Sequence, residues 1–177
     1  MGIPSYFYTI IKQNPNIIKQ INKLDKTIDN LYLDSNSIIY DCYNKIKDTY
    51  NPLYLTQFEN ELIEKIIEKI NYYKKNINPK SKMGIFFDGP APLCKLEQQR
   101  TRRHRVIFEK KIKEKLNLQN KIEWNTTCIT PGTNFMSKLN DKIINYYKNN
   151  NNVIISTSNE EGEGEHKIFN YIRNNKD

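Results

Sequence analysis

The sequence predicts an α/β fold, in which a parallel sheet carries helices on both faces. Four short apolar runs have the length and the β-branched or aromatic content of buried strands: residues 30–34, 83–88, 126–130 and 152–156. The segments between them repeat apolar residues at intervals of three and four, as amphipathic helices do. Strand and helix patterns alternate along the chain, which favours parallel strands joined by crossover helices. We expect residues 1–177 to form a single domain.

Each element has its own signal in the sequence. After the first strand, "NLYLD", one apolar stripe runs from Phe58 to Tyr73 and predicts a helix. The second strand, "MGIFFD", leads into a long and very polar helix over residues 92–116. The third, "TTCIT", is followed by a Pro-Gly turn and a helix over 134–147. The fourth, "NVIIS", precedes a short helix over 165–173. The alternation calls for a fifth strand after that helix, so we expect the chain to be C-terminally truncated.

Composition narrows the class of protein. The formal net charge of +8 favours a polyanionic partner, nucleic acid first, although lysine serving as a common surface residue is the alternative. The three cysteines have no CxxC spacing, which argues against a disulfide framework and against a zinc site. Because the chain lacks both a membrane-length apolar run and a signal-peptide pattern, we expect a cytoplasmic or nuclear protein that is neither secreted nor membrane-bound.

Four acidic residues follow the predicted strands. Asp34 closes the first strand, Asp88 closes the second, and Glu163 and Glu165 lie just beyond the fourth. The carboxyl ends of parallel strands share one edge, where ligands bind. Carboxylates crowded there repel one another unless a cation neutralises them, and oxygen ligands favour Mg²⁺ or Mn²⁺. The alternative for each acid is a helix cap or a favourable helix-dipole contact.

A basic cluster begins seven residues after Asp88. Four of the five arginines of the chain lie in "KLEQQRTRRHR", residues 95–105, and arginine suits phosphate oxygens better than lysine does. On a helix, one narrow face collects Lys95, Gln99, Arg102 and Arg103. This face could bind a phosphate, and a solvated charged surface is the alternative. A phosphate pocket beside a metal site suggests phosphodiester hydrolysis.

Five ordered blocks of the sequence resemble the Xrn-type 5′→3′ exoribonucleases, which belong to the flap-endonuclease and PIN-like nuclease group. The blocks are "MGIPSYFYTI", "LYLDSNSIIYDC", "FDGPAPLCKLEQQRTRRHR", "ITPGTNFM" and "GEGEHKIFNYIR". The resemblance implies a Rossmann-like PIN/flap-endonuclease-type fold, a requirement for Mg²⁺, and hydrolysis of single-stranded RNA with a 5′-monophosphate. Mononucleotides would then be released in RNA decay.

The resemblance also assigns roles to individual residues. Four acids match the metal-binding, catalytic acids of the family: Asp34, Asp88, Glu163 and Glu165. Four residues match its 5′-phosphate pocket: Lys95, Gln99, Arg102 and Arg103. Asn36 lies near the metal in the "LDSN" block. Tyr40 stands where the family usually has histidine, and a tyrosine can also stack on the first base. For His166 we expect a structural role at the helix start, and a catalytic or ligand role is the alternative.

This sequence departs from the family pattern at the end of the chain. The second metal site of the family draws on further aspartates, including a D-A-D block, which would lie beyond Asp177. The first hypothesis is therefore a metal-dependent exoribonuclease. The alternatives are a catalytically incomplete module that binds RNA 5′ ends, one half of a split nuclease completed by a second chain, and a truncated product with little function.

Overall fold

The computed structural model describes residues 5–18, 27–116 and 123–175, apart from the side chains of residues 94, 102, 110, 113 and 114. These ranges contain six α-helices and three β-strands. The helices are α1 (Tyr6–Gln13), α2 (Asn36–Ile46), α3 (Leu55–Ile77), α4 (Leu93–Lys115), α5 (Asn134–Tyr147) and α6 (Gly164–Asn174). The strands are β1 (Asn30–Asp34), β2 (Lys82–Phe86) and β3 (Val153–Ser156).

The three strands form one parallel sheet in the order β1-β2-β3. The β1–β2 pairing sets Asp34 opposite Phe86, and the β2–β3 pairing sets Phe86 opposite Ser156. All three strands therefore end at the same edge. Two further backbone hydrogen bonds extend the pairing past the strand ends, from Ser35 N to Phe86 O at 2.8 Å and from Phe87 N to Ser156 O at 2.9 Å.

Helices cover both faces of the sheet. On one face the core joins strand residues such as Ile85 and Phe87 to the apolar stripes of α2, α3 and α5. Leu62 and Ile66 of α3 are fully buried there, as the predicted stripe requires. On the other face Tyr171 of α6 packs against Tyr32 and Phe86, with ring centroids 5.8 and 6.1 Å apart. The predicted α/β fold is confirmed and is consistent with the PIN-like fold that the resemblance implies.

The strand predicted over residues 126–130 is wrong. Residues Thr126–Cys128 form a single 3₁₀ turn, and the sheet of the described residues has three strands. The Asn125 side chain accepts a hydrogen bond from Thr127 N at 3.0 Å, and Asn125 O accepts one from Cys128 N at 3.0 Å. These local bonds use backbone donors that a strand would offer to a neighbour, and Pro131 has no N–H to donate.

The other helix predictions agree with the structure. The helix over 134–147 has the predicted bounds and is capped by Thr133, whose hydroxyl accepts from Met136 N at 3.4 Å. The polar helix predicted over 92–116 is α4. Throughout the described ranges, each helix is too short or too polar to span a membrane. Of the cysteines whose side chains the structure describes, Cys42 is a buried free thiol and Cys128 a partly buried one.

Candidate active site

A pocket of about 280 Å³ opens at the carboxyl edge of the sheet. Its lining combines the four predicted acids with three residues from the start of α4: Asp34, Asp88, Glu163, Glu165, Lys95, Gln98 and Gln99. The acids come from three separate segments, at the ends of β1 and β2 and at the start of α6. The fold therefore brings together residues that lie up to 131 positions apart in the chain, from Asp34 to Glu165.

Asp88 is held by groups on both of its carboxylate oxygens. Asn36 donates from Nδ2 to Asp88 Oδ2 at 2.8 Å, and its own side-chain oxygen accepts from Asp88 N at 3.1 Å. Gly164 N, in the first turn of α6, donates to Asp88 Oδ1 at 2.7 Å. Bonds of this kind fix the orientation of the carboxylate. Asn36 thus contacts Asp88, and its expected position beside a metal ion stays a prediction.

The pKa of Asp34 is raised by its burial and by neighbouring carboxylates. Desolvation raises the pKa of Asp34, and the neighbouring carboxylate of Asp88 raises it further. A hydrogen bond from the backbone of Asn36 lowers that pKa, while Glu165 and Glu163 again raise it. Three other carboxylates therefore disfavour the negative charge of Asp34. A bound cation would relieve this repulsion, and four carboxylates suit a hard divalent ion.

The two glycines of "GEGE" serve different purposes. Gly162 has a φ of +98°, in the left-handed region that glycine adopts without strain. Gly164 has no such φ, but a Cβ there would lie 2.6 Å from Asp34 Oδ1 and 3.2 Å from Phe86 O. A side chain at position 164 would therefore displace an acid of the site.

A pair of hydrogen bonds fastens the segment that carries the glutamates to the segment after β2. Gly89 N donates to Gly162 O at 2.8 Å, and Gly162 N donates to Pro90 O at 3.1 Å. A Cβ on Gly89 would lie 1.6 Å from Glu160 O, so the two backbones approach more closely than any side chain allows. This close approach brings Glu163 and Glu165 to the edge where Asp88 ends.

Glu163 connects the acids to the basic helix. The ammonium of Lys95 in α4 donates to Glu163 Oε2, and His166 Nδ1 lies 3.6 Å from the same oxygen. The ligand atoms of Glu163, Glu165 and His166 all lie within 4.8 Å of one another. His166 is 56% exposed in its side chain, and its expected structural role stays a prediction.

The predicted phosphate face is only partly assembled around the pocket. Lys95 and Gln99 line it, while Arg103 is exposed one helical turn beyond Gln99. The side chain of Arg102 lies outside the described residues. Arg105 does not join the phosphate face, since its Nε donates to Glu109 Oε1 at 2.8 Å on the exposed surface.

Tyr40 is placed on α2, one turn after Asn36, and is 44% exposed. Tyr40 is not one of the described residues that line the pocket of the acids. Its exposed ring leaves it accessible to a base, and its stacking role stays a prediction.

The sequence did not lead us to predict two residues of the site region. Gln98 lines the pocket beside Gln99. Lys167 is 8% exposed, and its Nζ donates to Phe87 O at 2.9 Å and to Thr157 O at 2.8 Å. Burial lowers the pKa of Lys167, and the carboxylates of Glu160 and Asp88 act in the opposite direction. A signal for Lys167 existed, because it falls on the sheet-facing stripe of α6, three residues after Gly164.

Comparison with known proteins identifies the family. The family model described as XRN 5'-3' exonuclease N-terminus matches residues 1–177. The chain is 38% identical over 191 residues to 5'-3' exoribonuclease 1 of Saccharomyces cerevisiae, covering 99% of this chain and 12% of that protein. It is 34% identical over 142 residues to the 5'-3' exoribonuclease 2 homolog of Drosophila melanogaster, covering 65% of this chain and 16% of that protein.

A third relative, 5'-3' exoribonuclease 2 of Gallus gallus, is 33% identical over 141 residues, with 65% of this chain and 15% of that protein covered. The chain thus spans between 12% and 16% of the length of these three relatives. The match over residues 1–177 includes every segment that builds the acidic pocket. The chain therefore belongs to the XRN 5'-3' exonuclease N-terminus family.

Proposed function

We propose that this chain is the N-terminal part of a 5′→3′ exoribonuclease that hydrolyses single-stranded RNA with a 5′-monophosphate, using Mg²⁺ or Mn²⁺, in RNA decay. One observation carries the proposal: Asp34, Asp88, Glu163 and Glu165 share a single pocket with Lys95 and Gln99 of α4. Acids for metal ions and donors for phosphate therefore lie side by side. The relatives are named as 5'-3' exoribonucleases, which supports the same direction of cleavage.

The residues of the pocket divide into two groups by their chemistry. The four carboxylates would hold the divalent ion, which, when bound, neutralises their charge, lowers the pKa of an attacking water and stabilises the leaving oxygen. Asn36 and Gly164 keep Asp88 in one orientation through its two oxygens. Such preorganised ligands are what hydrolysis at one phosphate requires.

The start of α4 would receive the 5′ end of the RNA. Lys95 and Gln99 offer donors to the terminal phosphate, and we propose that Arg102 and Arg103 complete this pocket with forked donors. Tyr40 would stack on the first base. In hydrolysis a water oxygen bonds to phosphorus as the bond between phosphorus and O3′ of the first nucleotide breaks, and O3′ takes up the proton that the water releases. The shortened RNA keeps a new 5′-phosphate, which can enter the same pocket.

A second candidate function rests on the ion pair between Lys95 and Glu163. In this pairing the ammonium of Lys95 competes with a metal ion for Glu163, which weakens metal binding and so favours capture of a 5′ end over cleavage. The chain would then be a binding module, or one half of a split nuclease completed by another chain that supplies further acids. A single domain over residues 1–177 and a cytoplasmic or nuclear location stay predictions.

The experiment that separates these functions compares RNAs bearing 5′-phosphate, 5′-hydroxyl and 5′-triphosphate ends. Each is incubated with the purified chain in Mg²⁺, in Mn²⁺ or with chelator, and both mononucleotide release and binding are measured. The nuclease hypothesis predicts metal-dependent release from the 5′-phosphate RNA, abolished in Asp88→Asn. Binding without release would favour the second candidate, and neither binding nor release would refute both.

The phosphate pocket has its own test with a matched control. Replacing Arg102 and Arg103 together by alanine is expected to remove the preference for a 5′-phosphate over a 5′-hydroxyl end. Arg105→Ala is the control, because Arg105 pairs with Glu109 on the exposed surface of the same helix. If the double variant kept the full preference, the assignment of these arginines would be wrong.

A further inference from the structure

A buried lysine lies directly beneath the acidic edge. Lys167 of α6 is 8% exposed, and its ammonium donates to the carbonyl oxygens of Phe87 and Thr157 at 2.9 and 2.8 Å. These two carbonyls stand just past the ends of neighbouring strands, β2 and β3. Burying an ammonium is costly unless its donors are used, so its place in the fold requires an explanation.

Both carbonyls belong to the segments that deliver the acids. Phe87 directly precedes Asp88, and Thr157 begins the segment that ends at Glu163. A Cβ built on Gly89 would lie 3.3 Å from Lys167 Nζ, so the ammonium also fills the space beneath the turn after Asp88. One side chain therefore touches both segments where they leave the sheet.

The backbone of Lys167 adds a third connection. Its N–H donates to Glu163 O at 3.0 Å, in the first turn of α6. The same turn presents Gly164 N to Asp88 and Glu165 to the pocket. Lys167 thus ties the start of α6, the end of β2 and the end of β3 to one another at the base of the site.

We propose that Lys167 is a positioning residue, whose ammonium holds the segments after β2 and β3 so that Asp88, Glu163 and Glu165 face one metal ion. The inference rests on the proposed function, in which these acids bind a divalent cation. Lys167 itself is not among the described residues that line the pocket.

The competing role for Lys167 makes the opposite prediction. If the ammonium mattered only as a nearby positive charge, removing it would strengthen the attraction of the acids for a cation. If it acts by positioning, removing it scatters the acids and weakens cation binding. Residues that orient metal ligands typically contribute about 10–100-fold to affinity. The direction of the change in Mn²⁺ affinity therefore distinguishes the two roles.

The test uses Lys167→Met in the full chain, with Lys138→Met as the matched control. Lys138 donates to the buried Glu59 at 2.7 Å, so its loss also removes a lysine from a buried acceptor, but away from the pocket. Two quantities are measured: the Kd for Mn²⁺ by calorimetry, and hydrogen exchange of the Gly89 and Gly164 amides without metal. The second needs neither metal binding nor activity.

We expect Lys167→Met to raise the Kd for Mn²⁺ at least about tenfold and to speed exchange at both amides at least about tenfold. The control should change neither. If Lys167→Met does not fold, Lys167→Gln, which keeps a donor, is measured instead with the same expected directions and smaller changes. Unchanged exchange at both amides, or an unchanged or lowered Kd, would overturn the inference. A wild type that binds no Mn²⁺ counts against the proposed function, while the exchange comparison still decides the role of Lys167.

Discussion

Substituting Gly164 by alanine should weaken metal binding while leaving the fold nearly intact. The added Cβ would lie 2.6 Å from Asp34 Oδ1 and 3.2 Å from both Asp34 Cγ and Phe86 O. The φ of Gly164 is not positive, so alanine can adopt the backbone without strain, and it is a better helix former than glycine. The carboxylate of Asp34 is therefore the group that must move.

The size of the movement follows from the contact distance. An ordinary contact of about 3.4 Å requires Asp34 Oδ1 to retreat by roughly 0.8 Å from the 2.6 Å position. Metal–ligand distances are held within about 0.2 Å, so this displacement is several times the tolerance. We expect the Kd for Mn²⁺ to rise about 10–100-fold, as for other changes that misplace a ligand. The free energy of unfolding should fall by about 1 kcal/mol, at the low end of overpacking effects.

Calorimetric titration of Mn²⁺ and urea unfolding check the two halves of this prediction. Gly132→Ala is the control: its φ is +85° and a Cβ there meets nothing within 4 Å. It should cost about 1–2 kcal/mol of stability through backbone strain and leave the Mn²⁺ affinity unchanged. A Gly164→Ala protein that binds Mn²⁺ within twofold of wild type would refute the reasoning.

Three further predictions test other contacts. Gly89→Ala should lower the free energy of unfolding by about 2–6 kcal/mol. A Cβ there would lie 1.6 Å from Glu160 O, so the substitution must break the two backbone hydrogen bonds between Gly89, Pro90 and Gly162 and overpack the turn. A loss below about 1 kcal/mol in urea unfolding would contradict this prediction. Asn36→Ala leaves Asp88 without two hydrogen bonds, so the Kd for Mn²⁺ should rise about 10–100-fold, and an unchanged Kd by calorimetry would count against it. Burial raises the pKa of Tyr147, so its hydroxyl stabilises the fold fully below about pH 10 and the contribution is lost at higher pH. The stability difference between wild type and Tyr147→Phe should therefore shrink by about 1.4 kcal/mol between pH 8 and pH 11 in urea unfolding, and a constant difference would refute it.

Local patterns predicted much of the architecture. The bounds of α5 and the position of α4 follow from periodicity and polarity within each segment, which a single stretch of sequence contains. The apolar run at 126–130 shows the limit of such patterns. Its turn uses the Asn125 side chain as an acceptor, and no strand of the described residues pairs with it; a short apolar run specifies neither.

Some residues of the candidate site could be predicted from local patterns, and others could not. Acids at strand ends and one basic helix face could be located from the sequence, because parallel strands end at a common edge and helical spacing is regular. Gln99 and Lys95 accordingly line the pocket together with the acids. The role of Gln98 could not be predicted, since the helix face toward the pocket depends on how α4 is oriented at the sheet edge.

The amino-acid sequence alone was sufficient for the fold class, for the family and for selecting the four acids that line the pocket, since these depend on residue type, order and periodicity along the chain. Packing between distant segments decided the rest. The contact of Gly164 with Asp34 and the burial of Lys167 beneath Phe87 O join residues that are 130 and 80 positions apart. Such contacts exist only once the strands have paired and α6 has docked, because no local pattern specifies which distant backbone a side chain will meet.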